Sequence, residues 1–299
     1  MHPHLLHNEE IRPVTERFLS PGQAGLLNGW GVFSTLRVIN GVMFAWPRHY
    51  QRMERDARLL GVPLPDASSL ERRLYRLIAA NQALESTLRV CVVRNTGGPF
   101  DAPDQACDHD VIAFTKNLAQ WGTHVRLGLV ANGRFAACPF RGTKVLSWSM
   151  NLRWYEQARQ QGLDEVVLLN EHGHVAELTS ANIFLVRGTE ILTPPLTSGC
   201  LPGITREVLL QVDVPGYRVR EADLTPADLE SAEEVFISSS TRETLPVSHI
   251  EGLAVPFIAP TGGAGRFAAH QALVACMRRY AERHAASAHG LADWQATVV

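Results

Sequence analysis

Apolar and polar positions change period several times along this chain, and each change predicts an element. Val38-Ile39 and Val42-Met43-Phe44 flank Asn40-Gly41, a pattern for two short strands joined by a tight hairpin turn. Tyr50, Met53, Ala57 and Leu60 then recur at spacings of three and four, which predicts a helix opened by Pro47 and stopped by Gly61. Leu70, Leu74 and Leu77 mark a second helix, with Ser68-Ser69-Leu70-Glu71 as its capping box. Residues 88–93 and 111–115 are mostly apolar stretches of strand length, joined by a Gly-, Pro- and Asp-rich loop over 95–110. The periodicity lapses over 116–123. A boundary there gives a small N-terminal α/β domain, residues 1–120, and a second domain, residues 121–299.

The second domain opens on a strand at 125–130. A helix at 152–161 ends at Gly162. Residues 165–169 form a strand, 170–173 a turn, and further strands run through Phe184, Ile191 and 234–237. One helix starts after Gly203 and another spans 267–283. The second part is thus strand-rich, with helices between its strands.

Composition narrows the function classes. The 299 residues are 45% hydrophobic and 19% charged, the profile of a globular chain. A net charge of −2 gives no footprint for nucleic acid. No stretch approaches a membrane span, and residues 1–10 lack the apolar run of a signal peptide. The five cysteines are scattered, as expected of reduced thiols in a cytoplasmic protein. His2, His4 and His7 lie close together, but their context predicts a mobile, solvated tail and no metal site.

Lysine is scarce: the chain has only Lys116 and Lys144. An amine that can lose its proton is what a Schiff base needs, and no guanidinium can replace it. Glu177 sits among Val175, Ala176, Leu178 and Ala181, so its carboxylate calls for a partner. A protonated ring nitrogen would serve; an arginine, or an exposed strand edge, would equally explain it. Gly203-Ile204-Thr205-Arg206 opens an apolar helix, and free N–H groups at such a start favour a phosphate. Ser238-Ser239-Ser240-Thr241-Arg242 follows a strand and could complete a phosphate cup, or could be an ordinary serine-rich turn. Arg52 is in line with Arg48 and Arg55, as part of a solvated basic face or as an inward phosphate anchor.

Taken together these residues resemble the class IV pyridoxal-phosphate aminotransferases, the group of branched-chain aminotransferases, D-amino-acid aminotransferases and aminodeoxychorismate lyases. The likeness rests on Glu177-x-Thr179-x-x-Asn182-Ile183-Phe184, Ile191-Leu192-Thr193 and Leu201-Pro202-Gly203-Ile204-Thr205-Arg206. It extends to Gly29-Trp30-Gly31-Val32-Phe33, His49-Tyr50-Gln51-Arg52-Met53 and Ser239-Ser240-Thr241 with Leu245-Pro246-Val247, and runs from about Gly25 into the 260s.

The resemblance implies a small α/β domain followed by a larger α+β pseudobarrel, with pyridoxal 5′-phosphate between them, in a homodimer. It makes Lys144 the Schiff-base lysine and Glu177 the partner of the pyridine nitrogen. Arg52, the backbone N–H groups of Ile204 and Thr205, and the hydroxyl of Ser240 or Thr241 would hold the phosphate. Arg94 matches a position that some relatives use for the substrate carboxylate, with Arg37, Arg89 and Arg141 as rivals, since a bidentate arginine is the expected anchor. Trp30 would shape the entrance or pack. The implied reaction moves an amino group between a branched-chain-like or D-amino acid and a 2-oxo acid. Phe33-Ser34-Thr35-Leu36-Arg37 departs from the Phe-Glu-Gly-Ile-Arg of branched-chain enzymes and keeps open a lyase that releases pyruvate. A non-catalytic member of the fold is the third alternative. Small amino and oxo acids, not nucleic acid or membrane, are the expected partners.

Overall fold

The structure, a computed structural model, describes residues 1–98, 107–254 and 263–295, with side chains as far as residue 285. Part of the loop expected over 95–110 and part of the stretch reaching into the 260s lie outside the described residues. The chain divides into two compact units. The first comprises Met1–Leu118, Lys144–Trp148 and Met277–Val299; the second comprises Ala119–Thr143 and Ser149–Cys276.

The first unit is built on a six-stranded sheet in the order β2-β1-β6-β5-β3-β4. Its strands are β1 (His4–His7), β2 (Glu10–Pro13), β3 (Gly31–Ile39), β4 (Val42–Met43), β5 (Ser86–Arg94) and β6 (His109–Asn117). Helices α1 (Ala24–Asn28), α2 (Trp46–Leu60) and α3 (Ala67–Ala80) belong to the same unit. The expected hairpin forms at Asn40-Gly41, where both residues take positive φ, 49° and 79°, as a tight two-residue turn requires.

Alternation sorts β3 and β5 into two faces. Val32, Leu36, Val38, Leu88, Val90 and Val92 pack with Met53, Ala57, Leu70, Leu74 and Leu77 into one core. Each fully buried aliphatic there contributes about 1.5–3 kcal/mol. The other face carries Phe33, Thr35 and Arg37 from β3, in register with Cys91, Arg89 and Thr87 from β5.

Three expectations need correction in this unit. The N-terminus is not a free tail: β1 pairs with β2 and with β6, and His2 Nδ1 lies 2.8 Å from Thr115 Oγ1. Its histidines are therefore spent on hydrogen bonds, and no metal-holding cluster occurs among the described residues. The α3 cap is Asp66, which accepts from the Ser69 N–H at 2.9 Å, because the helix begins one residue before Ser68. Finally, Lys144–Trp148, expected in the second domain, belongs to the first unit. Val145 bridges Val32, so this short segment lies along the start of β3.

The second unit is organised by an eight-stranded mixed sheet in the order β12-β11-β10-β13-β14-β7-β8-β9. These are β7 (Val125–Val130), β8 (Glu165–Leu169), β9 (Val175–Leu178), β10 (Asn182–Arg187), β11 (Glu190–Thr193), β12 (Arg218–Glu221), β13 (Glu234–Ser239) and β14 (Glu243–Ile250). Helices α4 (Ser149–Gln160), α5 (Ile204–Gln211) and α6 (Pro226–Glu230) connect them, and α7 (Ala264–Gln295) follows. Phe184 and Phe236 stack on neighbouring strands, centroids 5.0 Å apart, fully buried. No helix among the described residues is long and apolar enough to cross a membrane.

Candidate active site

In the first unit, the lysine is fixed by its backbone. The Phe33 N–H donates to the Lys144 carbonyl at 3.1 Å, and the Leu146 N–H donates to the Gly31 carbonyl at 3.0 Å. The Lys144 N–H in turn donates to Asp56 Oδ2 at 3.0 Å. The side chain runs to the aromatic pair Phe33–Trp148, whose rings meet edge to face. Nζ stands 4.6 Å from the Phe33 centroid and 6.0 Å from that of Trp148. Arg89 shares these rings, with Cζ 4.2 Å from Phe33 and 5.9 Å from Trp148. Burial depresses the Arg89 pKa, and its buried Nε has no hydrogen-bond partner.

Arg52 is 8% exposed and points inward, so the basic-face alternative fails for it. It lies on α2 with His49, and both reach Ser34 on the core face of β3. Arg52 Nη2 donates to Ser34 Oγ at 2.9 Å, and Ser34 Oγ lies 2.8 Å from His49 Nδ1. Burial, followed by the charges of Arg52 and Lys144, holds the His49 pKa well below the usual imidazole value. The ring is therefore neutral, and its Nδ1 can accept from the serine.

Trp30 and Arg94 are tied to one end of α2. Trp30 Nε1 donates to the Leu60 carbonyl at 2.9 Å, and Arg94 Nη1 donates to the Gly61 carbonyl at 2.7 Å. Arg94 Nε also donates to the Thr96 carbonyl, and its guanidinium stacks 4.2 Å from the Trp30 ring. A cation against the last carbonyls of a helix is well placed to stabilise it. Arg37 is half-buried on the same sheet face as Arg89, and Arg141 is exposed.

In the second unit, Glu177 has an arginine partner, as one of the alternatives required. Arg134 Nε donates to Oε1 at 2.7 Å, and the Leu201 N–H donates to Oε2 at 3.1 Å. The Leu201 peptide is gripped from its other side too, since Asn182 Nδ2 donates to its carbonyl at 3.0 Å. Two residues later α5 begins at Gly203, with no side-chain cap on its N-terminus. A Cβ at Gly203 would run into Asn182 Oδ1, so glycine here lets the Asn182 amide approach without being displaced. The matched motif thus has a physical content: Glu177 and Asn182 set the start of α5 through Leu201. Ile204 and Thr205 are its first two helical residues, both buried.

Ser240 and Thr241 form the turn between β13 and β14. The Thr241 carbonyl accepts from Trp121 Nε1 at 2.8 Å, and its hydroxyl lies 3.4 Å from Ser239 Oγ. Below the turn, Arg242 Nη1 donates to Ser180 Oγ at 2.8 Å and Nη2 to the buried Glu165 at 3.4 Å. Ser238 Oγ is buried with no partner.

Sequence reasoning missed Asp56, Ser34, Arg134 and Trp148. Asp56 carried a signal, being four residues after Arg52 and so on the same helix face. Arg134 carried none, because it lies 43 residues from Glu177 along the chain.

Each unit carries groups that suit pyridoxal phosphate: the first offers a primary amine against aromatic faces, and the second a carboxylate with lone pairs to spare beside its two donors and an uncapped eight-residue helix start.

Comparison with known proteins agrees. Residues 31–250 match the family described as Amino-transferase class IV. A D-alanine aminotransferase of Bacillus licheniformis is 27% identical over 262 residues, covering 86% of this chain and 91% of that protein. A putative branched-chain-amino-acid aminotransferase of Methanocaldococcus jannaschii is 29% identical over 238 residues, covering 77% and 82%. The structure of the branched-chain aminotransferase of Escherichia coli superposes with a TM-score of 0.82 at 23% identity, covering 93% and 95%. With nearly three quarters of its length inside the family match, this chain belongs to the class IV aminotransferases, pyridoxal-phosphate-dependent transaminases of mixed α+β fold.

Proposed function

We propose that the chain moves an amino group between an amino acid and a 2-oxo acid, with D-alanine or a branched-chain amino acid as donor. The observation that carries this is Lys144, one of two lysines, held by its backbone on both sides with its ε-amine against Phe33. When bound, pyridoxal phosphate supplies an aldehyde and an electron-withdrawing ring. Lys144 Nζ would hold the aldehyde end of that group and would serve as the base that takes the proton from the substrate α-carbon. Glu177, held by Arg134 and the Leu201 N–H, would pair with the pyridine nitrogen. Arg52, the N–H groups of Ile204 and Thr205, and the Ser240 or Thr241 hydroxyl bind phosphate. Arg89, beside Lys144 and with an unused Nε, grips the substrate carboxylate, and Arg37 on the same face assists. The fixed contacts of Arg94 and Trp30 make them parts of the frame.

The named relatives, both of them aminotransferases, support transamination and both donor classes. The active form is a homodimer; the exposed Met150, Leu152 and Tyr155 of α4 support a second copy as partner.

The test is an assay with pyridoxal phosphate, a panel of D- and L-amino acids, and 2-oxoglutarate. Keto-acid formation that needs the acceptor is expected. Pyruvate released from aminodeoxychorismate without an acceptor would establish the lyase instead. Failure on every substrate, with no covalent capture of the cofactor, would make the chain a non-catalytic member.

A further inference from the structure

Asp56 lies outside every role assigned so far, yet it touches the lysine directly. It is 1% exposed on α2. Its two oxygens are divided: Oδ1 accepts from Arg55 Nε at 2.9 Å and from Arg55 Nη2, while Oδ2 accepts from the Lys144 N–H at 3.0 Å. Arg55 compensates the buried charge and turns the second oxygen to the lysine peptide. The Lys144 carbonyl is already held by Phe33 of β3. With its N–H on α2 and its C=O on β3, the backbone of Lys144 is braced by two separate elements. Its Cα–Cβ direction is then set before the side chain begins, and that direction sends Nζ along the Phe33 face.

We propose that Asp56 is a positioning residue for Lys144, bracing its peptide so that the ε-amine is presented to the cofactor aldehyde. The placement on α2 gives the brace a second consequence. Arg52, assigned to the phosphate, is one helical turn before Asp56, about 6 Å along the axis. One rigid helix therefore spaces the phosphate anchor from the brace of the reactive amine, and a change at Asp56 disturbs the amine while leaving the phosphate anchor in place. The energetic basis is ordinary. A buried N–H that loses a charged acceptor is expensive, and a misplaced nucleophile loses the benefit of orientation.

This inference rests on Lys144 being the residue that captures pyridoxal phosphate, and the experiment separates the two. The full chain is prepared without cofactor as wild type, Asp56→Ala and Asp56→Asn. Two quantities are measured: hydrogen exchange of the Lys144 amide, and the rate at which added pyridoxal phosphate becomes trappable on Lys144 by borohydride, mapped by peptide mass spectrometry. In the wild type the Lys144 amide exchanges slowly. In Asp56→Ala it exchanges about ten- to a hundredfold faster, and capture slows by at least about tenfold. Asp56→Asn keeps an amide oxygen facing the lysine N–H and restores capture to within about fivefold of wild type.

Wild-type capture in Asp56→Ala would overturn the proposal, as would Asp56→Asn being as slow as Asp56→Ala. Should Asp56→Ala fail to fold, an unprotected Lys144 amide in the wild type would refute the brace unaided. Capture at another residue, with the Lys144 amide protected only while Asp56 is present, would instead sink the assignment of Lys144 and leave the brace standing.

Discussion

At the scale of single residues, function depends on which charges have been left for a ligand. The negatively charged Glu177 side chain accepts from Arg134 and from the Leu201 N–H. Glu177→Gln preserves shape but removes that charge, so cofactor still binds while kcat falls about a hundredfold; a normal kcat would remove Glu177 from the ring-nitrogen role. Arg89 and Arg94 separate in the same way. Arg89→Ala should raise KM for amino and oxo acids at least about tenfold. Arg94→Ala should leave KM near wild type but cost about 1–2 kcal/mol in urea unfolding, because it loses its bond to the Gly61 carbonyl and its stack on Trp30. A KM effect confined to Arg94→Ala would reverse the assignment. The sequence offers Arg37, Arg89, Arg94 and Arg141 as equals. What ranks them is the carbonyl or ring within reach of each guanidinium, and for Arg94 that carbonyl is 33 residues away. Residue type and motif spacing single out Lys144 and Glu177 as candidates; their contacts are not legible along the chain, since Asp56 and Arg134 come from distant segments.

At the scale of elements, the starts of helices matter more than their bodies. The body of α2 was legible from Met53 and Ala57, and that of α3 from Leu70, Leu74 and Leu77, because a buried stripe at helical spacing leaves its period in the sequence. The α3 cap was not, since Asp66 and Ser68 are both good caps and the chain path before the helix selects one. Strand β1 was not legible either. His4-Leu5-Leu6-His7 lacks alternation and becomes a strand by pairing with β6, whose edge is supplied from more than a hundred residues later. The start of α5 is the element on which the proposed phosphate site depends. Gly203→Ala puts a methyl against Asn182 Oδ1. The amide must swing away, the bond from Asn182 Nδ2 to the Leu201 carbonyl breaks, and Leu201 is left gripped by Glu177 alone. Affinity for pyridoxal phosphate should fall at least about tenfold, and affinity for the unphosphorylated aldehyde, pyridoxal, much less. Equal losses for both compounds would show that α5 does not hold the phosphate.

Across the whole molecule, the division into units is discontinuous, and this is what a linear reading handles worst. Lys144–Trp148 joins the first unit by lying along β3, and α7 starts in the second unit while its residues from Met277 belong to the first. Neither feature has a local signal, because both arise from pairing and packing of the finished fold. The buried polar cluster beneath β3 shows how such packing enters the stability of the chain. His49 is 1% exposed, lies with Nδ1 2.8 Å from Ser34 Oγ, and is kept neutral by burial and by the charges of Arg52 and Lys144. Its folded-state pKa lies well below the unfolded value of about 6.5. Above pH 6.5 neither state carries a proton on this ring, so His49 adds no slope to stability. Below that pH the unfolded chain binds a proton that the folded chain refuses, and stability falls by up to about 1.4 kcal/mol per pH unit until the folded pKa is reached. His49→Gln retains an acceptor for Ser34 but cannot titrate. In urea unfolding between pH 6.5 and pH 5, values taken about the ordinary imidazole pKa, the variant should lose less stability than the wild type on acidification. Parallel pH dependence in the two proteins would mean that the ring is protonated in the folded state, and that Ser34, unable to donate to His49, spends its hydroxyl proton elsewhere.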